Sequence, residues 1–132
     1  MLTPEKKVVV SDKAPEPIGP YSAGISTGNL IFTAGQLGID RQTGEIVAGG
    51  IEAETRQALM NLQYILEAAG SSMQQVLKTT VFLRDMNEFG RMNAVYGEFF
   101  TVKPPARSTI QVAALPKAGA VEIEAIALIA PN

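Results

Sequence analysis

Val121-Glu122-Ile123-Glu124-Ala125-Ile126-Ala127-Leu128 alternates along its whole length, and the alternation decides the fold because successive side chains of a strand point to opposite faces of a sheet. Val121, Ile123, Ala125 and Ala127 form a small aliphatic face suited to packing under helices. Glu122, Glu124, Ile126 and Leu128 form the other face. Two carboxylates among aliphatic residues are too apolar a surface to leave in water and too charged for a simple core. A subunit interface that contains a polar site satisfies both facts.

Working outward, Arg107 to Val112 reads as the preceding strand, with Ile110 and Val112 assigned to the helix side and Arg107, Thr109 and Gln111 to the open face beside the glutamates. Ala113 to Ala120 separates the two strands. Upstream, Ile51, Ala58, Leu59, Leu62, Ile65, Leu66 and Ala69 recur at the spacing of a helix with one buried face, and Gly70 stops it. Ser72 and Gln75 suggest a capping box for a short turn, Lys78 to Leu83 a strand, and Asn87 to Phe100 a second helix ended by Pro104 and Pro105. Nearer the start, Lys6 to Val10 is a short β-branched run followed by a proline-rich loop from Ala14 to Pro20. Tyr21 to Ser26 and Leu30 to Ala34 flank Thr27-Gly28-Asn29 as a hairpin. Asp40 to Glu45 is a further turn. The order is βββαβαββ, an α+β plan with two helices on one face of a single sheet, in one domain spanning 1–132.

The chain has 132 residues, 46% of them hydrophobic, a net charge of −2, and neither cysteine nor histidine. Disulfides, thiol nucleophiles, histidine-based triads and the usual zinc or haem ligands are thereby excluded. No basic excess exists to neutralise phosphates, so nucleic acid and anionic membranes are poor partners. The stretch MLTPEKKVVVSDKAPEP has charges and prolines where a signal peptide needs an apolar run, and the expectation is a cytoplasmic protein.

Chemistry must then rest on Arg, Lys, carboxylates, Tyr, Ser, Thr, Asn or backbone groups. Arg107 is either a surface ion-pair residue or an anion clamp. Glu122 and Glu124 either pair with cations across an interface or carry shifted pKa values. Gly35-Gln36-Leu37-Gly38 reads as a tight bend after a strand, and it is no phosphate loop because no Lys-Ser/Thr follows. Tyr21 is a core or interface aromatic with a hydroxyl to spare.

Ile18-Gly19-Pro20-Tyr21, Thr33-Ala34-Gly35-Gln36, Lys78-Thr79-Thr80-Val81-Phe82, Asn93-Ala94-Val95-Tyr96, Pro105-Ala106-Arg107-Ser108 and Val121-Glu122-Ile123-Glu124-Ala125-Ile126-Ala127 together resemble, in order and spacing, the RidA/YjgF family. The resemblance implies a Bacillus chorismate mutase-like fold and a homotrimer with sheets facing inward and sites between subunits. It implies hydrolysis of 2-imino acids such as 2-iminopropanoate and 2-iminobutanoate to 2-keto acids and ammonia, without a cofactor or metal. Arg107 would grip the substrate carboxylate and Glu122 would position or activate water. Tyr21 and Asn93 would line the pocket, with backbone groups near Gly35 and Thr109 completing it. Many close members carry Cys where this chain has Thr109, and Ser where it has Ala34, so a mechanism that needs a thiol is excluded. Rival readings are a carboxylate-binding or sensing protein of the same fold, an RNA-cleaving or translation-inhibiting relative, and a holdase-like chaperone.

Overall fold

The computed structural model describes residues 5–129; the expectations that touch Met1–Pro4 and the three C-terminal residues lie outside them. Seven strands form one sheet: β1 (Lys7–Val9), β2 (Gly24–Thr27), β3 (Leu30–Thr33), β4 (Gln36–Leu37), β5 (Val76–Leu83), β6 (Ala106–Gln111) and β7 (Val121–Leu128). The spatial order is β1-β2-β3-β7-β5-β6, with β4 also paired to β7. All pairings are antiparallel except β5 with β6, which run parallel. That pair needs a crossover, and helix α2 (Phe89–Phe99) supplies it, preceded by a 3-10 turn at Met86–Glu88. The predicted helix from Asn87 is thus shorter and begins in a tighter turn, where Asp85 caps the N–H of Asn87 at 2.9 Å.

Helix α1 (Gly50–Ala68) lays Ile51, Ala58, Leu59, Leu62, Ile65 and Leu66, all fully buried, onto the sheet. Its end is set by Gly70, whose φ of 84° continues no helix of L-residues. Beneath it lie Val121, Ile123, Ala125 and Ala127 of β7 with Val81 and Leu83 of β5, so the face predicted to pack under helices does so. Each buried Val, Leu or Ile among them contributes about 1.5–3 kcal/mol by leaving water. The predicted capping box at Ser72 is absent. The 3-10 turn Met73–Gln75 has no side-chain cap and is closed by the backbone bond from Gln75 N to Ser72 O at 3.1 Å.

The face assignment of β6 is corrected. Arg107, Thr109 and Gln111 pair with Thr79, Val81 and Leu83, the buried residues of β5, so they stand on the helix side. Ile110 is on the open face and 47% exposed. Alternation gave the two sets correctly, but β6 is an edge strand whose helix-side residues are only partly covered, so apolar character did not mark the inner set. The uncovered face therefore carries Glu122 and Glu124 with Phe82, Ile126 and Ile110, and Arg107 is not part of it.

A break in one ladder shapes the other notable feature. β7 pairs with β3 through Ile126 and with β4 through Ile123, and between them Thr33-Ala34-Gly35 leaves the ladder. The freed N–H of Ala125 donates to Thr33 Oγ1 at 3.0 Å, which satisfies a buried donor that would otherwise be costly. The segment predicted as a simple bend is in fact a bulge followed by the short strand β4, and such bulges re-aim side chains at sheet positions.

Candidate active site

The sequence-predicted site residues fall into two groups. Glu122, Gly35 and Tyr21 line one cleft, closed by Pro15, Glu16, Pro17, Ile18 and Pro116. The bulge delivers Gly35 to the Glu122 side chain so closely that a Cβ there would lie 2.8 Å from Glu122 Cδ and 2.9 Å from its Oε2. Only glycine allows this approach. Burial pushes the Glu122 carboxyl above its ordinary range, and the charge of Glu124, its neighbour on the same face, pushes it further. Tyr21 is 48% exposed, and its hydroxyl accepts the N–H of Ile18 at 3.2 Å. The hydroxyl proton is left free to donate to a ligand. The enclosed volume is about 50 Å³, room for a few waters and too little for an organic acid.

The second group sits on the other side of the sheet. The Arg107 guanidinium carbon lies 4.6 Å from the ring centroid of Tyr96 and 5.5 Å from that of Phe89, so the cation of β6 rests over aromatic faces of α2. Tyr96 is itself fixed: its hydroxyl shares a 2.7 Å hydrogen bond with Thr79 Oγ1. Burial raises the Tyr96 phenol pKa, against opposing effects of Thr79 and Arg107. Asn93 shares the helix face of Phe89 and Tyr96 by its i, i+4, i+7 spacing. Its Oδ1 is buried without a partner, as is Thr109 Oγ1. These two orphaned oxygens belong to β6 and α2, the elements that hold Arg107, and a polar ligand there would satisfy them.

Sequence reasoning missed Phe89 and Tyr96 as the stack beneath Arg107, although their helical spacing about Asn93 was readable. It also missed Pro116 as a wall of the cleft. Among the described residues no ion pair involves Arg107 or Glu122. No described helix is long and apolar enough to cross a membrane.

Known proteins share this sequence pattern and this fold. The family model described as Endoribonuclease L-PSP matches residues 11–129. A RutC family protein of Pyrococcus horikoshii is 54% identical over 122 residues, which is 92% of this chain and 97% of that one. The mouse 2-iminobutanoate/2-iminopropanoate deaminase is 48% identical over 126 residues, covering 96% and 93% of the two chains. Among solved structures, E. coli TdcF with bound serine superposes with a TM-score of 0.90 at 43% identity, over 95% of this chain and all of that one (100%). With a family model spanning nearly the whole described chain, relatives near half identity, and a matching fold, this chain belongs to the RidA/YjgF family, the family of Endoribonuclease L-PSP.

Proposed function

We propose that the protein hydrolyses 2-imino acids, the tautomers of 2-enamino acids, to 2-keto acids and ammonia. The observation that carries the reading is the pairing of an unpaired, stacked guanidinium with a carboxyl whose proton affinity is raised. Arg107 accepts the substrate carboxylate in its planar fork. Glu122 takes a proton from water as the oxygen adds to C2 of the imine, giving a carbinolamine. It returns that proton to the nitrogen, then takes the carbinolamine hydroxyl proton and passes it to the amine as the C=O bond forms and the C–N bond breaks, releasing ammonia and the keto acid. The imine is already electrophilic, so holding water and substrate in register supplies much of the rate. Neither metal nor cofactor enters these steps. The naming of mammalian relatives as imine deaminases and the serine bound to TdcF support a small amino-acid-like substrate.

Because Arg107 and Glu122 stand on opposite faces of one sheet, a site using both draws them from two copies of the chain. We infer a homotrimer with the open faces inward, which covers Ile110, Phe32 and Ile126 and closes the cleft at Glu122. The experiment is ammonia release from freshly generated 2-iminopropanoate and 2-iminobutanoate, run beside RNA degradation by the same sample. Ammonia release above the uncatalysed rate, with intact RNA, is the expected result. RNA cleavage without imine hydrolysis would replace this reading with the activity named in the family description. Carboxylate binding without either activity would leave a sensor.

A further inference from the structure

Glu54 is a buried carboxyl that the proposed chemistry does not use. It lies on the sheet-facing side of α1, 6% exposed, and its Oε1 accepts the backbone N–H of Ala120 at 2.8 Å, joining residues 66 apart in sequence. Ala120 immediately precedes β7 and stands two residues before Glu122. In the β5 register residue 120 pairs with 84: Ala120 O accepts from Arg84 N at 3.0 Å, and such a pair ordinarily exchanges both bonds. The β4 ladder does not reach this point. It ends at the Leu37–Glu122 pair, and Ile39 bridges to Ile46. The Glu54 side chain thus takes the Ala120 N–H that would otherwise complete the pair with Arg84.

Two further features show how closely this corner is built. A Cβ at Gly38 would lie 2.7 Å from both the Cα and the backbone O of Glu54, so helix and chain meet there with no room for a side chain. The connection before Ala120 is strained: Lys117 and Ala118 hold φ of 57° and 54°, a conformation that persists in non-glycine residues only where the surroundings over-determine it. Arg84 Nη1 donates to Ala118 O at 3.3 Å, and Pro116 of the same connection walls the Glu122 cleft.

We infer that Glu54 is a positioning residue for the hydrolytic site: by holding Ala120 it fixes where β7 begins, and with it the placement of Glu122 and of the Pro116 wall. The inference rests on the hydrolase reading for its kinetic test, and a spectroscopic test stands apart from it. Glu54→Ala is expected to lower kcat about ten-fold or more while KM changes by less than about two-fold, because the carboxylate clamp on β6 and α2 is untouched. Glu54→Gln keeps an oxygen at the same reach and is expected to recover kcat to within about three-fold of the parent. Carboxyl NMR of Glu122 should show its titration moving down toward the ordinary range in Glu54→Ala and returning in Glu54→Gln.

A folded Glu54→Ala variant with parental kcat and an unmoved Glu122 titration overturns the inference. So does a loss of kcat that merely follows loss of assembled mass. Should Glu54→Ala not fold, Glu54→Asp decides: its carboxyl is drawn back by one methylene, and parental kcat in that variant overturns the inference equally. If the parent protein releases no ammonia from imino acids, the hydrolase reading fails by itself. The Glu122 titration then decides the role of Glu54 alone.

Discussion

Gly35→Ala isolates the position of one carboxylate from almost everything else in the protein. Gly35 is not among the residues with positive φ, so alanine takes the same backbone without left-handed strain. The new methyl would stand 2.8 Å from Glu122 Cδ, whereas carbon atoms settle at about 3.5–4.0 Å. The Glu122 side chain must therefore retreat by roughly 0.7–1.2 Å from its 2.8 Å approach. Its flexible end can yield, so the fold should lose no more than the ~1–3 kcal/mol of ordinary overpacking. Catalysis has no such latitude, since a displacement of about 1 Å at a reacting group costs on the order of 10²-fold. The assay is the steady-state rate of ammonia release, with melting temperature and assembled mass measured on the same sample. A well-folded, assembled variant with at least half the parental kcat would refute the claim that Glu122 acts from the position seen here.

Arg107→Lys keeps the charge but loses the planar fork and the stack on Tyr96 and Phe89; kcat/KM should fall about thirty-fold or more, and near-parental turnover would return Arg107 to an ion-pair role. Glu122→Gln should slow hydrolysis about 10²–10⁴-fold with keto-acid binding kept, as read by single-turnover kinetics and calorimetry. The same variant should melt higher than the parent at neutral pH. The folded state raises the Glu122 pKa above its ordinary 4.5, so its stabilising contribution is full below that value and is lost as pH rises through the raised one; the gap should close in acid. Glu124→Gln removes the second cause of that rise, and the acid limb of kcat/KM should move to lower pH while the parental maximum is kept. Light scattering of dilute protein should report the mass of a trimer, and a stable, active monomer would sink the two-copy site.

The fold was legible where alternation or helical spacing met a covered surface. β7 and α1 are such places: the inner residues of the sequence reading are buried in the structure except Ala69, which is only partly covered, while the polar Glu54, Thr55 and Asn61 of α1 are buried as well. It was illegible at β6, where the inner set Arg107, Thr109 and Gln111 is more polar than the outward Ile110, because an edge strand half covered by α2 has no apolar demand to advertise. β4 was missed for a different reason: two residues cannot show a period. Of the site, Glu122, Gly35 and Tyr21 do share a cleft, while Arg107 and Thr109 stand across the sheet. Glu54 was invisible as anything but a helix surface charge, since its partner is a backbone N–H 66 residues away.

The electrostatics of the two groups bear on why an imine would suit the proposed site. Among the described residues every assigned ion pair lies elsewhere, between Arg41, Arg56, Arg84 or Arg91 and their glutamates. Arg107 has aromatic faces but no anion, and the carboxyl nearest in effect to Glu122 is another acid, Glu124. Within the single chain neither the Arg107 cation nor the Glu122 carboxyl is in an ion pair among the described residues, and covering a charge without a partner costs free energy. A 2-imino acid carries a carboxylate at one end, and at the other a nitrogen that becomes protonated as water adds. In the proposed site the carboxylate would relieve Arg107 in the ground state, whereas the developing ammonium would relieve Glu122 only as the carbinolamine forms. A stabilisation present mainly late in the reaction lowers the barrier more than it tightens binding. By the same reasoning a keto acid, which satisfies Arg107 and offers Glu122 no cation, is held by one end alone and departs.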